Sequence, residues 1–352
     1  MIATPVFTLA NVVAACLLVA LTAYVVFGGA DFGGGVWDLL ASGPRREEQR
    51  ALVAHAIAPI WEANHVWLVL VVVILFTCFP PAFAEFMIAL HVPLALMLVG
   101  IVLRGSAFVF RAYGSDDDVA ARRWGRVFAI ASVITPILLG ACVGAVASGR
   151  VGGAPLGAGG SVGFAARFIT PWLAPFPLLC GALALASFSF LAAVYLTVDA
   201  SRSNAPDASE LREDFRRRAL WSAVAVFVTA FAALATARAT GVPLGYVLTG
   251  RGWALGLHVA TAVAAVVAIL ALVTRRWRLA RIAAPAQVAL IVLGWGAGQF
   301  PMMIPPFRTI EETAAPAITL RLTLIGLAGG AVVLAPSLWY LFRLFKGRAA
   351  TS

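Results

Sequence analysis

The hydrophobic residues of this chain fall in long unbroken runs, separated by short segments rich in arginine, glycine or proline. A helix crossing a bilayer needs about 20 mostly apolar residues, and nine runs fit that template: 6–29, 52–79, 84–110, 124–148, 168–197, 219–236, 253–273, 285–304 and 322–345. The eighth is interrupted by Gly294, Gly296, Gly298 and Gln299 and by Pro301, Pro305 and Pro306, so its ends are poorly fixed. The first run lacks a basic leading segment and exceeds a usual signal-peptide core, and it reads as a retained helix. No connecting segment is long enough for a sizeable soluble domain. Any chemistry is expected inside the bundle or in a partner.

The basic residues then set the orientation. Of the 26 lysines and arginines, nineteen fall on one set of alternate connections, in clusters around Arg45, Arg123, Arg217, Arg276 and Lys346. Six fall on the other set (Arg150, Arg167, Arg238, Arg251, Arg308 and Arg321), and Arg104 lies within a run. The positive-inside rule places the rich side in the cytoplasm, with the N-terminus out and the C-terminus in. That distribution explains the net charge of +10 without nucleic acid as a partner. It makes an anionic membrane lipid surface the expected one. With 62% hydrophobic and 12% charged residues, against about 25% charged in soluble domains, a soluble protein is excluded. Cys16, Cys78, Cys142 and Cys180 lie in apolar runs with no CxxC pair, and read as core residues rather than metal ligands.

Ionisable side chains at membrane depth are costly and usually face the bundle interior. Here they are Asp31 in the first run, His55, Glu62 and His65 in the second, and Glu85, His91 and Arg104 in the third. On one continuous helix, Glu62 would lie about 20° and His65 about 80° from His55, giving a shared polar stripe. Glu62 would sit about 15 Å inside the cytoplasmic start of its helix and Arg104 about 10 Å from the cytoplasmic end of the next. Two readings of that pair stay open: a buried ion pair joining two helices, or a proton-conducting acid with a neighbouring base. A third is a proton-coupled secondary transporter with a Glu62/Arg104 site. His55 and His65 are expected as satisfied core residues, His91 as a helix–helix hydrogen-bond partner, and Glu85 and Asp31 at solvated helix ends. Neither a Ser/His/Asp grouping, a phosphate-binding loop nor a metal motif is present, and His55, His65, His91 and His258 are too scattered for multi-haem ligation.

The run from Ala56 to Leu68, with Trp61, Glu62, Asn64, His65 and Trp67, resembles the second-helix signature of subunit II of cytochrome bd-type oxidases. Asp31-Phe32-Gly33-Gly34-Gly35 resembles that family's first-helix D-x-G-x-G, and Leu103-Arg104-Gly105 through Arg111 its third-helix block. The segment Gly294 to Pro301 is similar to an eighth-helix segment of the cyanide-insensitive branch. The resemblance implies an all-α membrane protein. Its nine helices would form two four-helix bundles (helices 1–4 over 6–148, helices 5–8 over 168–304) and a peripheral helix over 322–345. It implies a haem-free subunit of the bacterial inner membrane, with no catalytic residue, metal or cofactor of its own. The subunit would be paired with a larger one that binds haem b and haem d and oxidises quinol from the membrane pool. A structural quinone or lipid is compatible with it. By that similarity Asp31, His55 and Glu62 are candidates for a proton-uptake path, and Trp61, Asn64, His65, Trp67 and Arg104 for structural or pairing roles. Many relatives carry a second Asp three residues before the Asp31 position, and here that residue is Gly28. Any proton path using that carboxylate is absent or rerouted.

Overall fold

The computed structural model describes residues 7–57, 61–113, 118–152, 163–201 and 207–347. Thr8 caps α1 (Leu9–Leu39), its hydroxyl accepting from the Asn11 amide, so one exposed end donor is satisfied. There follow α2 (Arg46–Ile57), α3 (Trp61–Cys78), α4 (Pro80–Ala89), α5 (His91–Tyr113) and α6 (Asp118–Ala147). The short α7 (Phe164–Phe168) and α8 (Thr170–Leu173) lead into α9 (Pro175–Ala200), α10 (Ala208–Ala239), α11 (Pro243–Gly250), α12 (Gly252–Val273) and α13 (Trp277–Gln299). An antiparallel pair, β1 (Met302–Ile304) and β2 (Arg308–Thr309), precedes α14 (Ile310–Thr313) and α15 (Ala317–Gly347). Among the described residues eight helices are long and apolar enough to cross a membrane, and the pair α2–α3, counted as one span, makes nine.

Three elements depart from the sequence expectation. The second run is not one helix: α2 and α3 make an angle of 54°. The third breaks at Leu90, since Pro93 has no N–H for the Ala89 carbonyl and its ring crowds that oxygen, so α4 ends and α5 begins. The eighth begins earlier, at Trp277, with Pro285 in its interior, and stops at Gln299 before Pro301. The residues after Pro301 fold back over the helix ends remote from the arginine-rich clusters, with Ile310 N–H bonded to the Pro301 carbonyl (3.0 Å) and Ala315 N–H to that of Cys78 (2.8 Å). Glu85 is therefore not a free solvated end, because it pairs with Arg308 at 3.0 Å. Thr8 bonds Glu311. Thr309 and Glu312 form a reciprocal capping box, and the Thr309 backbone N–H, followed by its hydroxyl, holds the Glu312 carboxyl below its usual range.

α3 and α6 flank α1 and α5 lies on α6, while α10 lies on α9, and α12 on α13. α9 and α13 pack on α1, joining the two groups, and α15 runs beside α1 and α3. At the arginine-rich end, Arg45 pairs with Glu210 and, at 3.0 Å, with Asp214. Gln49 bridges Asp214 (3.1 Å) and Arg218 (2.6 Å). This network ties the α1–α2 connection to α10.

Two glycines of α1 let the joining helices approach. A Cβ on Gly33 would lie 2.0 Å from the Phe188 carbonyl oxygen of α9, and one on Gly35 would lie 2.2 Å from Ser132 Oγ of α6. Gly33→Ala must push backbone against backbone, an overpacking that costs about 1–3 kcal/mol or more. We expect a lower thermal midpoint and yield for that variant, and no change for Gly326→Ala, where nothing lies within 4 Å. Equal midpoints for the two variants would contradict the close approach.

Candidate functional site

The half of α1, α3, α5 and α6 nearer the arginine-rich end holds a buried polar cluster. Asp31 and Asn64 are 4% and 3% exposed, and Arg104 is 2% exposed. Asn64 Nδ2 donates to Asp31 Oδ2 at 2.7 Å and lies 3.4 Å from the Phe27 carbonyl. Arg104 reaches across from α5: its Nη2 donates to the Asp31 backbone carbonyl at 2.9 Å and its Nε to Ser132 Oγ at 3.2 Å. The Ser132 hydroxyl in turn donates to the Phe128 carbonyl at 2.7 Å. The guanidinium carbon sits 4.7 Å from the Phe32 ring centroid and 5.1 Å from that of Phe128, a face on which a cation is attracted by the ring quadrupole. Asp31 thus turns its carboxylate to Asn64 and its backbone to Arg104, and both side chains are held by protein partners.

His65 is half-buried beside this cluster, its ring 6.2 Å from those of Tyr24 and Phe32. Trp67 stacks on Phe27 at 6.4 Å. Trp61 opens α3, and its side chain is outside the described residues. Asp31, Asn64, His65 and Arg104 are therefore brought together, whereas His55 and Glu62 are not. Both are exposed on this chain, His55 on α2 and Glu62 in the first turn of α3. Two reasons separate them from the expected stripe. The 54° angle between α2 and α3 removes the continuous helix on which the phase of His55 and Glu62 was reckoned. Residues two apart on a helix also point about 200° apart, so Asn64 facing Asp31 turns Glu62 to the opposite side. Among the described residues Glu62 makes no ion pair with Arg104, whose guanidinium is instead bonded to the Asp31 carbonyl and Ser132, so the geometry does not form the buried pair that was one of the two readings.

The remaining histidines are occupied locally. His91 is exposed, its Nδ1 2.9 Å from the Ile88 carbonyl and its ring 4.9 Å from Phe168. His258 Nε2 lies 2.9 Å from the Leu248 carbonyl. Among the described residues no three His, Cys, Asp or Glu side chains gather as a metal site would require. The sequence reading missed Ser132, Tyr24, Phe32 and Phe128. Phe32 follows Asp31 directly and Ser132 stands four residues after Phe128, but a lone serine and three aromatics in apolar runs carry no signal of their own.

The chain matches the family described as cytochrome bd terminal oxidase subunit II over residues 9–345. It is 32% identical over 113 residues to the cytochrome bd ubiquinol oxidase subunit 2 of Bacillus subtilis, covering 32% of each chain. It is 26% identical over 131 residues to the cytochrome bd-I ubiquinol oxidase subunit 2 of Escherichia coli, covering 37% of this chain and 34% of that one. These alignments span about a third of the length of the curated relatives. A solved structure of the bd oxidase from Geobacillus thermodenitrificans superposes with a TM-score of 0.78 at 22% identity, covering 97% of this chain and 100% of that one, which shows a shared fold. None of these similarities favours a secondary transporter.

Proposed function

Because this chain belongs to the cytochrome bd terminal oxidase subunit II family and is a multi-pass protein of the bacterial inner membrane, we propose that it is the haem-free subunit of a quinol:oxygen oxidoreductase. In this reading it supports a larger subunit carrying haem b and haem d, where quinol is oxidised and oxygen reduced to water. It also offers protons a route from the cytoplasmic side. The observation that carries the reading is Glu62, a carboxylate exposed on a membrane helix. Such a side chain does not face lipid at ordinary cost, so a second protein covers it.

In this reading no described residue serves as a haem ligand. Axial ligation calls for histidine, methionine, cysteinate or tyrosinate facing a large pocket, and His91 and His258 are engaged with nearby carbonyls. The cavity of about 140 Å³ between α1, α6, α9 and α13 has no histidine or methionine in its wall, and the one thiol there, Cys180, stands in a space too small for a macrocycle. What the chain does offer is acids on two sides of α3. Asp31 is buried with Asn64 and Arg104, and Glu62 faces outward at about the same depth, with His55 further toward the arginine-rich end. Glu62 is then the hand-over point to the partner, and Asp31 holds the inner charge balance.

Expressed with its partner and purified by a tag on this chain, the complex should show the red-region absorption of reduced haem d. The chain alone should be colourless. Stoichiometric haem in the isolated chain would overturn the assignment. The orientation has its own check: reporters fused after Arg46, Arg217 and Arg278 should all report the cytoplasm, and a periplasmic signal from any one would reverse the topology.

A further inference from the structure

Asp38 is a buried acid that the reading above leaves without a task. It is 3% exposed and stands in the last turn of α1, at the arginine-rich end, where Arg50 Nε lies 3.4 Å from its backbone carbonyl. A carboxylate at that end of a helix meets the negative pole of the macrodipole, and aspartate is seldom so buried. Neither effect favours the position on grounds of stability.

Asp31, also buried, lies seven residues back on the same helix. Seven residues turn through 700°, so the two side chains share a face to within about 20° and stand about 10 Å apart along the axis. Between them that face carries only Gly34 and Gly35, so no side chain of α1 separates the acids. Opposite Gly35 is the Ser132 hydroxyl, and opposite Gly34 the tip of Ile57, the last residue of α2. Ser132 Oγ accepts from Arg104 and donates to the Phe128 carbonyl. A hydroxyl has a second acceptor site, and no described residue uses it here.

We propose that Asp38 is the acid through which protons enter this chain, passing them to Asp31 along a short file of waters held beside the Ser132 hydroxyl. An O–H···O step covers about 2.8 Å, so about three waters span the gap. Asp38 takes a proton from the aqueous face and releases it along the file to the Asp31 carboxylate, and both acids return to their starting state once Asp31 passes it on. The route then reaches α3, where Asn64, His65 and Glu62 follow one another around the axis at about 100° and 60°, from the buried cluster to the outward face. The proposal rests on the oxidase reading above, since it needs a reaction that consumes protons.

The fully reduced two-subunit complex, mixed with oxygen in the presence of a pH-indicator dye, tests it. In Asp38→Asn, haem per protein should stay near normal while the proton uptake of a single turnover slows by about fivefold or more. Asp38→Glu, whose carboxylate sits on a longer arm, should be slowed about twofold. Joined to Glu62→Gln, Asp38→Asn should add little further slowing, because groups in one series are not additive. Native uptake kinetics in Asp38→Asn would overturn the proposal. So would an equal slowing in Glu48→Gln, an acid exposed at the same end, which would trace the effect to surface charge. Should Asp38→Asn fail to assemble, Asp38→Glu decides: slowed uptake supports the relay, and uptake at the native rate marks Asp38 as structural. Slowing in Glu62→Gln beside native kinetics in Asp38→Asn would leave the oxidase reading standing and place the entry elsewhere, whereas a complex with no quinol-dependent oxygen consumption would sink that reading and this proposal with it.

Discussion

Arg104→Met is expected to lower the haem content, yield and thermal midpoint of the complex together. The guanidinium is 2% exposed, bonded to the Asp31 carbonyl and to Ser132 Oγ and packed over Phe32 and Phe128. Methionine fills much of the volume but supplies no charge, leaving the buried Asp31 carboxylate, bonded to Asn64, without the neighbouring cation. Removing one member of a buried charged cluster costs about 3–5 kcal/mol, a large part of the roughly 5–15 kcal/mol that holds a domain folded. Arg104→Lys should be intermediate, because an ammonium keeps the charge but not the planar fork and ring stacking. Ser132→Ala should be milder still, since it removes one bond to a charged group, about 1.5–3 kcal/mol. Haem per protein and the midpoint of the purified complex measure all three. A full haem complement in Arg104→Met at an unchanged midpoint would show that the cluster does not hold the fold.

Much of this architecture was legible before any coordinates. Apolar length alone located the spans, because a bilayer imposes the same minimum on each of them. What length could not reveal was continuity. The break between α4 and α5 follows from Pro93, which is visible, but the angle between α2 and α3 arises where no single residue in the run announces it. The Asp31–Gly35 block was recognisable as a pattern, yet its physical reason, the Phe188 carbonyl against Gly33 and the Ser132 hydroxyl against Gly35, depends on two residues of α9 and α6 that are each more than ninety positions away in sequence.

The same limit shaped the site. Scanning for ionisable residues found Asp31 and Arg104, but the groups that make their burial tolerable are a neutral serine, an asparagine and aromatic faces, which ordinary cores also contain. Angular phase along one helix placed Glu62 with His55 and at the depth of Arg104. That inference required a straight helix, and the phase of Asn64 against Asp31 instead turns Glu62 outward. Outward is where a subunit that hands protons to a partner would need its acid.

That placement sharpens the test of Glu62. Were it half of a buried pair with Arg104, neutralising it would strand a charge and the complex would lose haem and yield together. Among the described residues it has no such partner, so Glu62→Gln should assemble with near-normal haem, the amide keeping the volume and hydrogen-bonding capacity. If the carboxylate relays protons, quinol-dependent oxygen consumption per haem should fall by about tenfold or more. A positioned acid–base group contributes roughly 10²–10⁴-fold, and water in the same opening can replace part of that. Glu62→Asp retains a titrating group on a shorter arm and should lose less. Asp31→Asn serves as the contrasting variant: its carboxylate is bonded to Asn64, so its loss should reduce stability as well as rate, with haem content falling in step. Turnover per haem, rather than per cell or per membrane protein, separates a slowed reaction from a scarce complex. An unchanged turnover per haem in Glu62→Gln would remove Glu62 from the proton route, leaving the exposed acid to serve only as a contact to the partner subunit.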